Sequence, residues 1–186
     1  MLGKWHVTPL TESGATGPFD GGPLGRGFGR SYGFLGSGTY QYCTEPVMGN
    51  TGIDPPRSFA TSYHLTANLV DQSIRFLVGH VAERPDTPWL LWLLWLALGA
   101  THAPHQAPLY LIKSYNEISK NCWDVERVRR VTRQKYIGIV PNQTVLPRRR
   151  DGVGPSTRHN LDEQLLFTHM QSAFAAMPDY ADQTPG

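Results

Sequence analysis

Two short segments of this chain carry side chains that could handle an anion. The first, residues 3–6, reads Gly-Lys-Trp-His, so that Lys4 and His6 stand two positions apart. If the backbone is extended there, the two side chains project to the same side. An ammonium group can then bind an oxyanion as a point charge, and an imidazole can serve as a hydrogen-bond donor or proton carrier. A solvated chain end without a function is the competing interpretation.

The second segment, residues 101–108, reads Thr-His-Ala-Pro-His-Gln-Ala-Pro and provides His102 and His105. It follows a very apolar run, and ligands of open α/β sheets bind outside the carboxyl ends of the strands. The His-x-x-His spacing also suggests metal ligation, but no Cys, Asp or Glu stands beside it at ligand spacing. Histidines in loops are commonly neither ligands nor catalysts, so the segment alone leaves its role open.

The elements that would position these segments indicate an α/β fold. The apolar run at residues 89–98 predicts a central parallel strand that helices cover on both faces. Before it, a helix capped by Thr61 or Ser62 is predicted from apolar residues at helical spacing. Together they predict a partial mixed or parallel sheet flanked by helices. The apolar helix positions are Leu65, Leu69, Val70, Ile74, Leu77, Val78 and Val81.

The remaining segments give coarser predictions. Residues 7–60 are rich in Gly, Pro, Ser and Thr and predict loops that pack on a core through their aromatic residues. Residues 109–186 predict helices and loops, with a final helix that Asn160 caps and Pro178 stops or kinks. The apolar anchors predicted before that helix are Trp123, Val125, Val128 and Val131. Within the apolar run, Trp-Leu-Leu occurs twice in succession, which fits either a three-residue duplication or an aromatic-rich strand.

Composition excludes several classes of protein. With 186 residues and a net charge of +2, the chain is long enough for one domain, and its charge does not argue for nucleic acid or an anionic membrane. The arginines between residues 127 and 133 follow the acidic Asp124 and Glu126, and this mixed charge predicts a solvated helix face. No signal peptide or transmembrane segment is visible, so a cytoplasmic location is the default expectation.

The two histidine segments resemble active-site segments of the sulfatases, which hydrolyse sulfate esters. The similarity continues in consistent order through residues 23–34, 63–71 and 123–141, where the chain looks like arylsulfatases of bacterial type. The resemblance implies an alkaline-phosphatase-like α/β domain, of which residues 1–186 would be an incomplete, internal part. It also implies a small sulfate ester as substrate and calcium as the cofactor of the intact family.

Carried over residue by residue, the resemblance implies three catalytic roles. Lys4 would contact the substrate sulfate, and His6 would hydrogen-bond the hydrated formylglycine nucleophile. His102 would contact the sulfate near the bridging oxygen, where negative charge grows as the ester breaks. His105 would be structural or a pocket wall.

The chain departs from the family pattern at its nucleophile. The family cysteine or serine stands in a Cys/Ser-x-Pro-x-Arg setting, whereas Cys43 and Cys122 each lack the arginine and a correctly placed proline. The calcium ligands, a pair of aspartates and an Asp-Asn pair, are not recognisable either. We therefore expect the chain to be inactive alone. A non-catalytic remnant that binds an anion or a partner is the alternative, and a related phosphatase or phosphodiesterase is disfavoured by Gly-Lys-Trp-His.

Overall fold

The computed structural model of the chain describes residues 1–14, 16–54, 63–86 and 93–185. The described residues form two compact units, residues 1–106 with 177–186 and residues 107–176. The first unit contains the sheet. Its strands are β1 (Leu2–Lys4), β2 (Tyr32–Phe34), β3 (Val47–Met48), β4 (Thr51–Gly52) and β5 (Leu96–Ala97).

The sheet is mixed and confirms the α/β class. Its strand order is β4-β3-β2-β1-β5. β1 pairs in parallel with both β2 and β5, whereas β2 pairs with β3, and β3 with β4, in antiparallel. Three of these strands lie within residues 7–60, the segment predicted to be rich in loops. No sign of these strands is visible in the sequence, because strands of two or three residues are too short to show an alternating pattern.

Helix α1 (Leu65–Glu83) packs against the parallel strands and builds the core with them. Its first turns are buried, but Ile74, Val78 and Val81 are exposed, contrary to the apolar face predicted for the whole helix. A helix of 19 residues is about 28 Å long, whereas a strand of three residues spans about 10 Å. The sheet therefore covers only part of the helix. The buried core comprises Leu2, Tyr32, Phe34, Tyr63, Leu65 and Leu69.

The apolar run ending in β5 is not buried on both faces in its described part. Leu94, Leu96 and Leu98 pack against the core, whereas Leu93 and Trp95 are 77% and 53% exposed. This alternation is typical of a strand with one buried face. In the described sheet β5 also stands at one end of the strand order, not at the centre as predicted. Most of the Trp-Leu-Leu repetition lies outside the described residues, as do Thr61 and Ser62. The N-cap of α1 is His64, so the prediction that Thr61 or Ser62 caps this helix was wrong.

The second unit is helical. It contains α2 (Leu109–Ser119), α3 (Cys122–Tyr136) and the greater part of α4 (Leu161–Gln183). The arginines Arg129, Arg130 and Arg133 are exposed on α3, as predicted. Val125 and Val128 are also exposed, so they are not core anchors in the described chain. Helix α4 continues through Pro178, so of the two predicted effects of this proline, a stop or a kink, the stop was wrong.

The predicted cap of α4 is present as a reciprocal capping box. The Glu163 backbone N–H donates to Asn160 Oδ1 at 2.9 Å, and the Asn160 N–H donates to Glu163 Oε2 at 3.0 Å. We expect Asn160→Ala to lower the free energy of unfolding by about 1 kcal/mol, because a helix N–H loses its acceptor. Urea unfolding followed by circular dichroism measures the loss. Asn160→Ser, which keeps an acceptor, should stay close to wild type; an equal loss in both variants would contradict the capping role.

Candidate active site

The three predicted catalytic residues lie at one edge of the sheet. Lys4 is the last residue of β1, His6 follows it by two positions, and His102 lies in the loop after β5. Because β1 and β5 are adjacent and parallel, their carboxyl ends meet at the same edge. The loop that follows β2 begins there as well, since β2 is parallel to β1 on its other side.

Hydrogen bonds hold the His6 segment on both sides. The N–H groups of Trp5 and His6 donate to the carbonyls of Phe34 and Leu35, each at 3.0 Å. The indole N–H of Trp5 and the hydroxyl of Thr8 both donate to the Gly21 carbonyl, at 2.8 and 2.9 Å. The segment is therefore an ordered part of the fold.

An extended backbone at His6 was assumed from the sequence, but the backbone there is not extended. Its φ is +55°, in the left-handed region that side-chain-bearing residues adopt rarely. Such strain at a residue with an exposed imidazole is a common feature of functional sites. Lys4 and His6 thus lie at the same end of the sheet, but the extended geometry that would align their side chains does not hold at His6.

The His102 loop is held close to β5 and to the loop after β2. The His102 N–H donates to the Gly99 carbonyl at 3.0 Å, and the ring Nδ1 lies 2.7 Å from the Ala103 carbonyl. A carbonyl oxygen only accepts, so Nδ1 carries the proton and Nε2 is left for other chemistry. Gly38 packs so closely on this ring that a Cβ there would lie 2.8 Å from Nδ1.

A third histidine, His64, contacts Gln106 at the end of the His102 loop. It was assigned no role from the sequence. It is the N-cap of α1: its ring Nδ1 accepts from the Thr66 N–H at 3.2 Å. Its Nε2 then carries the proton and donates to the Gln106 carbonyl at 3.3 Å. The ring is 6% exposed, and this burial lowers its pKa from 6.5 to about 4. His64 is therefore neutral at ordinary pH.

Gln106 connects the same region to the loop after β2. Its Oε1 accepts from the Gln41 N–H at 2.7 Å, and the Gln41 carbonyl in turn accepts from the Leu65 N–H at 2.7 Å. Gln41 is 2% exposed, and its amide packs beside Gly99. Sequence reasoning missed both glutamines, since their contacts join residues far apart in the chain.

A cleft of about 820 Å³ opens beside the edge in the first unit. Thr8, Leu35 and Gly38, which adjoin or contact the His6 and His102 segments, lie in its wall. Its wall also carries the carboxylates of Glu12, Glu45 and Asp54. A volume of this size accommodates a small organic molecule.

Among the described residues, no group of three or more His, Cys, Asp or Glu side chains could hold a metal ion. The described residues therefore do not fit the calcium site that the resemblance implies. Cys43 is exposed and Cys122 half-buried, and neither forms a disulfide.

In the described part of the chain, no helix has the length and apolarity to cross a membrane.

Comparison with known proteins agrees with the fold. The family model described as Sulfatase matches residues 1–183. This chain belongs to the sulfatase family. It is 29% identical over 156 residues to an arylsulfatase of Klebsiella aerogenes, a match covering 79% of this chain and 30% of that protein.

A second relative is an uncharacterized sulfatase of Schizosaccharomyces pombe. It is 26% identical over 205 residues, a match covering 100% of this chain and 34% of that protein. The chain therefore spans about a third of the length of the curated relatives that it matches.

Proposed function

We propose that this chain provides the sulfate-contacting part of a sulfatase active site, with Lys4, His6 and His102 as its catalytic residues. The observation that carries the proposal is their convergence on one carboxyl edge of adjacent parallel strands. Ligands of α/β sheets bind at such edges. The reaction of the complete site is hydrolysis of a sulfate ester.

Each residue has a role that follows from its chemistry. The Lys4 ammonium offsets the charge of the sulfate group, as a point charge at the end of a short strand. His102 can place its Nε2 against the bridging oxygen and, when protonated, donate to it as the ester bond breaks. His6 would hydrogen-bond the hydrated nucleophile, which this chain does not supply.

The cleft is the proposed place for the organic part of the ester. It adjoins the segments of His6 and His102 through Thr8, Leu35 and Gly38. The ester would then lie across the sheet edge, with its sulfate toward Lys4 and its alcohol in the cleft. An aryl sulfate is small enough for this volume.

We further propose that the 186 residues alone do not turn over substrate. Neither cysteine stands in a Cys-x-Pro-x-Arg setting, and the described residues form no metal site. The purified chain should therefore release no phenol from an aryl sulfate, with or without calcium. Calcium-dependent hydrolysis above a blank without protein would refute this part of the proposal.

Binding of inorganic sulfate tests the site without requiring turnover. We expect Lys4→Ala to weaken sulfate binding about tenfold, because a charged hydrogen-bond donor is lost. Titration calorimetry at low ionic strength measures the change. Lys113→Ala removes an equal charge from the exposed surface of α2 and serves as the control. Equal affinities in the two variants would rule out a sulfate contact by Lys4.

A further inference from the structure

The loop that carries His102 is fixed at both ends by contacts outside itself. At its start, Gly99 lies against Gln41 and Phe34: a Cβ there would be in ordinary van der Waals contact with Gln41 Nε2 at 3.4 Å and with the Phe34 ring at 3.5 Å. At its end, Gln106 is held through its main chain by His64 and through its side chain by the Gln41 N–H. These contacts restrict the movement of the two ends of the loop.

His64 is suited to act as a fixed support. Its two ring nitrogens have separate partners: Nδ1 faces the N-terminus of α1, and Nε2 faces the end of the loop. The rings of Tyr42 and Tyr180 pack edge-on against it, with centroid distances of 4.9 and 4.7 Å. Edge-to-face packing and two hydrogen bonds leave the imidazole little rotational freedom.

Gln106 and Gln41 complete a closed set of contacts. Gln41 accepts from Leu65, the first residue of α1, and donates to Gln106. His64, directly before α1, reaches Gln106 from the other side. The end of the loop is thus tied to the buried N-terminus of α1 twice, through atoms that the proposed catalytic roles do not use.

We propose that His64 and Gln106 are positioning residues that hold the loop of His102 against the carboxyl edge of the sheet. Neither is assigned a contact with sulfate. They act by restricting where the His102 imidazole stands, and small displacements of a catalytic group are costly. The consequence for sulfate rests on the proposed function; the consequence for the loop does not.

His64→Asn separates this role from helix capping. Asparagine is a good N-cap and can still accept from the Thr66 N–H. Its amide nitrogen ends one bond short of the imidazole Nε2, so the Gln106 carbonyl loses its donor. Gln106→Leu removes the other connection, whereas Gln106→Glu keeps an oxygen for the Gln41 N–H and is the matched control.

Amide hydrogen exchange of the whole chain provides the direct measurement, and inorganic sulfate is the probe for binding. In His64→Asn and Gln106→Leu, we expect the His102 amide to exchange at least tenfold faster while the central amides of α1 keep their rates. Sulfate affinity should fall several-fold in both variants, and Gln106→Glu should match wild type in both measurements.

Unchanged exchange of the His102 amide in both variants would overturn the positioning role. If α1 also exchanges faster in His64→Asn, the result for Gln106→Leu is used instead. In Gln106→Leu, faster exchange of the loop with unchanged exchange of α1 supports the positioning role, and any other result overturns it. Absence of sulfate binding by the wild-type chain would count against the proposed function. The exchange rates would still test the positioning role in that case.

Discussion

Replacing Gly3 with alanine is expected to unfold the first unit. Gly3 has φ +101° and lies in β1 between β2 and β5. A Cβ at this position would stand 1.9 Å from the Ala97 carbonyl oxygen, a backbone atom that cannot move without breaking the pairing of β1 with β5. We expect a loss of about 4 kcal/mol or more, which approaches the lower end of the roughly 5–15 kcal/mol by which native domains are stable. Thermal unfolding followed by circular dichroism measures it.

Gly27→Ala is the matched control for Gly3→Ala. Gly27 has nearly the same left-handed φ, +97°, but a Cβ there would meet no atom within 4 Å. The control therefore includes the cost of the backbone conformation, roughly 1–2 kcal/mol, without the collision. Similar unfolding midpoints for the two variants would show that β1 does not pair with β5 as closely as described.

Acidification from pH 6.5 to 4 is expected to destabilise the fold through His64. Its pKa is near 6.5 in an unfolded chain and is lowered to about 4 in the fold because the ring is buried. Between these values the unfolded chain binds the proton and the folded chain does not, so stability falls as the pH falls. Above pH 6.5 the contribution is fully present; it reaches about 3 kcal/mol and is lost by pH 4.

The contribution of His64 is isolated by comparison with His64→Asn. Other groups titrate in the same range, so the quantity of interest is the difference between wild type and variant in the pH dependence of urea unfolding. We expect the variant to have a shallower slope between pH 4 and 6.5. Parallel curves for the two proteins would mean that the folded His64 is protonated as readily as the unfolded one.

The helices were predictable because their signals are local. The apolar spacing from Leu65 onward located α1, and Asn160 located the start of α4. Strands β2, β3 and β4 left no such signal, since they are two or three residues long and contain Gly33 and Gly52. β2 pairs with β1, far away in the sequence, whereas β3 pairs with β2 and β4 pairs with β3.

The sequence indicated the proposed catalytic side chains of the candidate site but not the residues that support them. Lys4, His6 and His102 were indicated by residue type, spacing and family resemblance. His64 and Gln106 were not, because their hydrogen bond joins residues 42 positions apart and leaves no pattern in either segment. The left-handed backbone at His6 was missed as well, since a non-glycine residue gives no warning of it.

The most direct test of the account is whether His6 and His102 respond to the same sulfate ion. A titration of the chain with inorganic sulfate, followed through the ring signals of both histidines by NMR, provides the measurement. We predict that both rings shift along one binding curve and that Lys4→Ala weakens the response of both together. A response from only one ring, or curves that Lys4→Ala leaves unchanged, would contradict a shared sulfate site.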